Sequence, residues 1–346
     1  MNRLIEIKTS ILNFIEKNEP YVLAGTKFIM MLMAYLMVYF NIGYLSKIHI
    51  IFVPIVLAMI SAVIPMGFGA FILSLYVLGN LYGLGIEVTA VAASLFLLAY
   101  LIYFRFAPKK SYIMVLTPIL WVLKIPYIAS VAVGLTGTVG TGLAVLIGTV
   151  IFYFLKGVKT NEALFLNAGE YDSVSKLSVA LQQSIGNSEM WIVLAAFALT
   201  IIVVYTIRRK SIDNAWRTAI YVGSVLQGIV ILMGKLLTGS AAGSIGIIVG
   251  SLIAVGLGIV LEFMLFHLDY SRVENVQFED DYYYYYVKAV PKVTVRAKEK
   301  KVTTYGAEKT DKKDRMEKKE KEAEQKEEEL KEQIAKELDI DPDILK

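Results

Sequence analysis

Lys124, Pro126, Thr117 and Glu262 are the residues whose types and surroundings could do chemistry, because each interrupts a long apolar stretch. An ammonium in hydrocarbon is expensive, so Lys124 should face a wet or protein-lined cavity, pair with an acid, or occupy the tip of a re-entrant hairpin. Pro118 and Pro126 flank it and each removes a backbone donor, which predicts a broken helix. Broken helices persist at membrane depth only where they are buried in protein or line water. One reading is therefore a substrate or ion site on the hairpin from Thr117 to Leu135, with Lys124 shielded from lipid. The other is a lysine snorkelling from a short interfacial helix. Glu262 lies six residues before the end of the last apolar stretch, roughly 9 Å inside it at ~1.5 Å per residue. It suits a functional or a structural role equally. Glu87 and Lys235 read as interfacial anchors, and Asn80 and Gln227 as interhelical hydrogen-bonding residues.

Other chemistries lack their residues. There is no cysteine, which removes disulfides, thiol nucleophiles and cysteine-held metal clusters, and the two histidines, His49 and His267, are too few for a histidine-rich metal site. The segment Gly228 to Lys235 approaches a phosphate-binding loop, but its spacing is wrong and Leu236 stands where Ser or Thr is needed. An ATP-driven process would thus need a separate ATPase subunit. No zinc-protease or serine-hydrolase motif is present, so the chain is not expected to be an enzyme, and no metal or cofactor is expected.

These residues must be positioned by membrane helices. The 346 residues are 56% hydrophobic and 19% charged, far too apolar for a soluble domain of that length. Eight apolar stretches have spanning length, near 22–40, 48–66, 67–83, 86–106, 137–155, 190–207, 218–237 and 243–268. A ninth, 111–136, contains Lys124. The expected fold class is an all-α membrane protein of eight or nine transmembrane helices, preceded by an amphipathic interfacial helix over 1–20. Basic residues cluster at Arg105, Lys109 and Lys110 and again at Arg208, Arg209, Lys210 and Arg217. Lys and Arg favour cytoplasmic loops. Both clusters and the tail share that side only if 111–136 is a re-entrant hairpin that enters and leaves on one face. The polar loop 156–189 then faces outward.

Leu135-Thr136-Gly137-Thr138 and Leu237-Thr238-Gly239-Ser240 are 102 residues apart, and small residues follow each at four-residue spacing. Gly140 and Gly148 mark one ladder; Gly246, Gly250 and Gly258 mark the other. Such ladders let helix backbones approach closely in lipid. The pair reads either as an internal repeat of the kind transporters use or as the ordinary recurrence of small residues in membrane helices.

Beyond the transmembrane domain 21–268, a tyrosine-rich juxtamembrane segment spans 269–300 and a charged tail 301–346. Residues 1–268 carry 17 Lys+Arg against 10 Asp+Glu, whereas 269–346 carry 18 against 21. The mixed sign disfavours nucleic-acid binding. Tyr282 to Tyr286 and the β-branched residues after them suggest an extended or two-stranded element, and 311–338 a solvated helix with a short apolar end but little coiled-coil seam. Residues 279–346 could dock a cytoplasmic partner by strand addition.

The stretches Tyr103-Phe104-Arg105-Phe106-Ala107-Pro108-Lys109, Leu116-Thr117-Pro118 to Lys124-Ile125-Pro126-Tyr127, Arg208-Arg209-Lys210-Ser211-Ile212-Asp213 and His267-Leu268-Asp269-Tyr270 through Phe278-Glu279-Asp280-Asp281-Tyr282 to Pro291-Lys292 resemble a family of uncharacterised polytopic membrane proteins of Gram-positive bacteria, sometimes labelled permeases. The resemblance covers roughly residues 20–292 and implies a bacterial plasma membrane location, with no established reaction. Two functions follow as expectations. One is a permease-like component of a transport system. The other is a non-catalytic membrane scaffold that recruits partners through its tail.

Overall fold

The computed structural model describes residues 2–106, 110–166, 173–239, 244–265, 274–279 and 283–289. The chain divides into two units, Met1–Val293 and Thr294–Lys346. The second unit, the charged helix expected over 311–338, and His267 and Asp269 lie outside the described residues.

The described chain is helical apart from one β-hairpin. Helix α1 (Asn2–Lys17) stops at Asn18, and α2 (Glu19–Ile42) starts with Pro20 in its first turn, where the missing donor does no harm. On α1, Ile7, Ile11, Phe14 and Ile15 are exposed together. Lys8 Nζ donates to the Phe263 carbonyl at 2.6 Å. There follow α3 (Phe52–Val63), α4 (Met66–Tyr82), α5 (Ile86–Phe106), α6 (Ser111–Val122), α7 (Tyr127–Thr136), α8 (Val139–Thr160), α9 (Glu162–Leu166), α10 (Ser173–Ile185), α11 (Ser188–Arg208), α12 (Ala215–Leu237) and α13 (Ser244–Leu265). Strands β1 (Glu274–Glu279) and β2 (Tyr284–Ala289) pair antiparallel, with Glu279 opposite Tyr284.

Among the described residues, five helical stretches are long and apolar enough to cross a membrane: Glu19–Ile42, Val139–Thr160, the run Ser173–Arg208 that contains α10 and α11, Ala215–Leu237 and Ser244–Leu265. The fold is an all-α membrane type, but the eight or nine long spans are not confirmed. The main departure is 48–83, expected as two spans. Its first helix, α3, has 12 residues and is only ~18 Å long.

α3 and α4 form a hairpin instead. Pro65 has an extended ψ of 140° and starts α4 after Ile64. Tyr35, in the C-terminal half of α2, shares a 3.0 Å hydrogen bond with Ser61 near the turn and packs edge-on against Tyr76, part-way along α4, ring centroids 5.5 Å apart. α3 therefore reaches only half-way along α2. α4 returns to the level at which the hairpin began, since Gly83 lies directly against the Tyr44 backbone beyond the end of α2.

A second hairpin, α6–α7, points the opposite way. The loop Leu123–Pro126 turns it, with Lys124 in the left-handed region at φ 61°. Its two ends are joined, because Lys110 Nζ contacts the Thr136 carbonyl at 3.4 Å. Arg208, in the last turn of α11, donates to the carbonyls of Leu135 and Gly137. Such positive charge is favourable at the C-terminal end of a helix. Thr138 then caps α8, exchanging hydrogen bonds with Thr141.

The remaining contacts define two ends of the helical bundle. At the basic end, Arg217 pairs with Glu262 at 3.3 Å and Lys8 meets Phe263. At the other end, Lys159 donates to Asn41 at 2.9 Å, Tyr44 to Glu162 at 3.2 Å, and Lys235 pairs with Glu189 at 2.8 Å. Burial, with the Glu162 carboxylate beside it, pushes the Tyr44 phenol up to about 12, so it remains a neutral donor at ordinary pH. The expected polar loop 156–189 is largely helical here: it begins inside α8 and contains α9 and α10.

The Leu-Thr-Gly repeat does not survive as a structural unit. Its first copy closes the α6–α7 hairpin at the basic end, while its second follows the single helix α12 at the other end. A tetrapeptide match of small residues records a shared helix ending and no more.

Candidate functional site

The two hairpins meet at a cavity. Helices α2, α4, α5, α6 and α8 enclose about 210 Å³ of empty space, to which α4 contributes from one hairpin and α6 from the other. The sequence places small and branched apolar residues on the facing surfaces of α2, α4, α6 and α8, and the aromatics Phe96 and Tyr100 on that of α5. Ala34, Val38, Val77, Phe96, Val115 and Ile151 line the space and are buried. Pro118 also lines it. As an interior proline it cannot bond to the Met114 carbonyl one turn earlier. Gly148 of α8 sits against that carbonyl, where an added Cβ would lie 2.9 Å from it and 2.7 Å from Thr117.

Polar groups are confined to a few positions. Ser74 donates to its own helix at Phe71 and lies 3.5 Å from the Tyr100 hydroxyl. Among the lining residues only Val122, Lys156 and Lys159 are exposed, which locates the opening between the end of α6 and the last turns of α8. Lys156 Nζ stands 5.5 Å over the Tyr153 ring, and Lys159 holds Asn41. Among the described residues, no acidic side chain lines the cavity.

The residues singled out by sequence do not assemble into one pathway. Lys124 is exposed at the hairpin tip and so is not shielded as expected. Pro126 is buried as the residue that starts α7. Thr117 is buried, donates to Ile113 one turn back, and wedges against Gly148. Glu262 is at the basic end, paired with Arg217, far along α13 from Gly250, which meets Tyr127 near the hairpin tip. It ties α12 to α13.

Small residues divide similarly. An added Cβ at Gly250 would fall 2.4 Å from the Tyr127 ring, and one at Gly258 2.8 Å from Ile220. Gly246, expected in the same row, has open space around it among the described residues, because α13 meets α7 only further along its length. Gly140 is half-buried in the first turn of α8. Gln227 of α12 accepts from Ser130 at 2.6 Å and donates to the Tyr127 carbonyl at 3.2 Å, a fully buried link from α12 to α7. Asn80, read as interhelical, donates instead to Tyr76 of its own helix.

Sequence reasoning missed Lys156 and Lys159 as site residues because they were assigned to a loop. The available signal was their spacing, three residues apart behind an apolar run, which puts both on one face of a helix end. Among the described residues, no group of acidic, histidine or cysteine side chains could hold a metal ion. No family model, no curated protein and no solved structure matches the chain, so its function is read from its own geometry.

Proposed function

We propose that the chain is a permease-like component of a transport system in the cell membrane, and that the cavity between its opposed hairpins belongs to the transport path. The observation that carries this reading is the meeting of two oppositely directed hairpins at one cavity, which opens beside the last turns of α8. Irregular backbone at membrane depth is tolerated where it is buried or lines a cavity, and transporter sites are commonly built from discontinuous helices.

In this reading six helices cross, α2, α5, α8, α11, α12 and α13, while α3–α4 and α6–α7 enter from opposite faces. The two ion pairs on α12 support the membrane's placement. Arg217 and Lys235 are 18 residues apart, or ~27 Å along a helix, close to the hydrocarbon thickness of about 30 Å. The exposed apolar face of α1 suits a helix lying in the interface. Lys110, Arg208, Arg209, Lys210 and Arg217 share one end with α1, which supports a cytoplasmic basic end. An even number of crossings then returns the tail to the cytoplasm. A separate ATPase subunit is part of the proposal.

The test uses the absence of native cysteine. The cavity opens here on one side, and a transport cycle must expose it to the other in turn, so Val38→Cys and Val115→Cys should each react with a membrane-impermeant maleimide applied to either face of sealed vesicles. Labelling from a single face only would remove the conduit.

The scaffold reading draws on the β-hairpin, where Tyr284 and Tyr286 are exposed on a two-stranded sheet and Tyr283 is exposed just before it. Exposed strand edges are templates for strand addition. Deleting 274–346 should then abolish partner recovery on affinity purification while two-sided labelling persists. Unchanged partner recovery would end this reading.

A further inference from the structure

We propose that the cavity binds an amphipathic anion, with an alkyl tail among the five helices and an acidic headgroup held by Lys156 and Lys159. This rests on the cavity being the transport site, and it names the class of molecule that fits there.

The tail is specified by the lining. Apart from Asn41 at the rim and the Ser74–Tyr100 hydroxyls, the interior is apolar: Ala34, Val38, Val77, Phe96, Val115 and Ile151 offer no hydrogen-bond partner, so a wholly polar solute would leave most of its groups unsatisfied. The space of about 210 Å³ exceeds the roughly 150 Å³ in which a dry apolar cavity already accepts benzene.

The headgroup is specified by the opening. Lys156 and Lys159 lie on one face of the last turns of α8, and both line the cavity. Neither is ion-paired to a described acidic residue; the ion pairs of the described chain are Arg217–Glu262 and Lys235–Glu189. Lys159 is held by the neutral Asn41, and Lys156 rests over Tyr153, so neither contact is with a carboxylate. A carboxylate or phosphate between them would gain charge-assisted hydrogen bonds from each. Because the lysines stand where the cavity opens, the tail must enter first and the headgroup must stay at the rim.

The experiment is a titration of the full chain in phosphatidylcholine nanodiscs. Laurate and dodecanol, which share a tail and differ in charge, compete against fluorescent cis-parinarate. Laurate should bind at least tenfold more tightly than dodecanol. The double variant Lys156→Gln/Lys159→Gln should weaken laurate tenfold or more and leave dodecanol unchanged. Val115→Phe should weaken both. Since the two lysines are exposed, the double variant should fold, so the result does not depend on Val115→Phe. Equal affinity of laurate and dodecanol for the native chain, or an unchanged laurate affinity in the double variant, would overturn the proposal. Displacement of the probe by added phosphatidylglycerol would identify a lipid source, and displacement by laurate alone a free fatty acid; either upholds an amphipathic anion. Two-sided labelling without laurate binding removes the ligand and keeps the conduit, whereas laurate binding with one-sided labelling does the reverse.

Discussion

Gly246 and Gly250 are one turn apart on α13, yet only Gly250 touches another helix. Gly250→Ala must push α13 from the Tyr127 ring, and overpacking of this kind costs about 1–3 kcal/mol. Gly246→Ala meets nothing and gains about 1 kcal/mol of helix propensity. Melting temperatures in detergent should fall for the first variant and hold or rise for the second. A fall of equal size in both would show that packing does not distinguish them. Gln227→Leu, with melting as the same readout, should lose about 0.6–2 kcal/mol, since it removes the link from α12 to Ser130 and Tyr127. At Lys124 the positive φ decides the outcome. Lys124→Gly should be neutral or mildly stabilising, because glycine adopts that conformation freely, whereas the β-branched variant Lys124→Val should cost about 1–2 kcal/mol.

At the scale of elements, the two hairpins solve one problem with different chemistry. α3–α4 turns at Ile64-Pro65 and is held by Tyr35, which reaches Ser61 and stacks edge-on with Tyr76. α6–α7 turns at Lys124 and is held at its open end, where Lys110 and Arg208 grip the last carbonyls of α7. Basic residues that the sequence clusters between apolar stretches therefore also close a hairpin. Opposed hairpins make a concrete expectation for surface labelling. Lys47→Cys and Tyr82→Cys, at the ends of the first hairpin, should react from outside intact cells. Thr136→Cys and Lys210→Cys should react only after the membrane is opened. Labelling of Thr136→Cys from outside would make 111–136 a crossing segment and undo the hairpin.

For the whole molecule, charge follows the two units. The unit Met1–Val293 contains every described element, and the charged remainder begins at Thr294. Burial of apolar residues runs continuously through the helices of the first unit, from Met31 to Ala254. A chain ending at Val293 should therefore insert, purify as a single species and melt within a few degrees of the full chain. Aggregation of the shortened chain would show that the tail takes part in folding.

Apolar run length determined the all-α membrane character, because hydropathy is a local, additive property of the residues. It also located the break in 111–136, since a proline removes its own donor wherever the helix lies, and charge bias led independently to the expectation that both ends of that segment share a face. The same logic failed at 48–83. An arm of a buried hairpin is as apolar as a crossing helix, and Pro65 reads equally well as a boundary between two spans. Only the contacts of Tyr35 with Ser61 and Tyr76 reveal how far α3 penetrates. Likewise, spacing can place glycines in a row but cannot say which of them meets a neighbour. Glu262 was legible as a buried acid, but its partner Arg217 lies 45 positions away and was chosen by helix packing. The cavity and its two lysines exist because five helices distant in sequence leave a gap of a particular shape, and that shape is decided by tertiary structure alone.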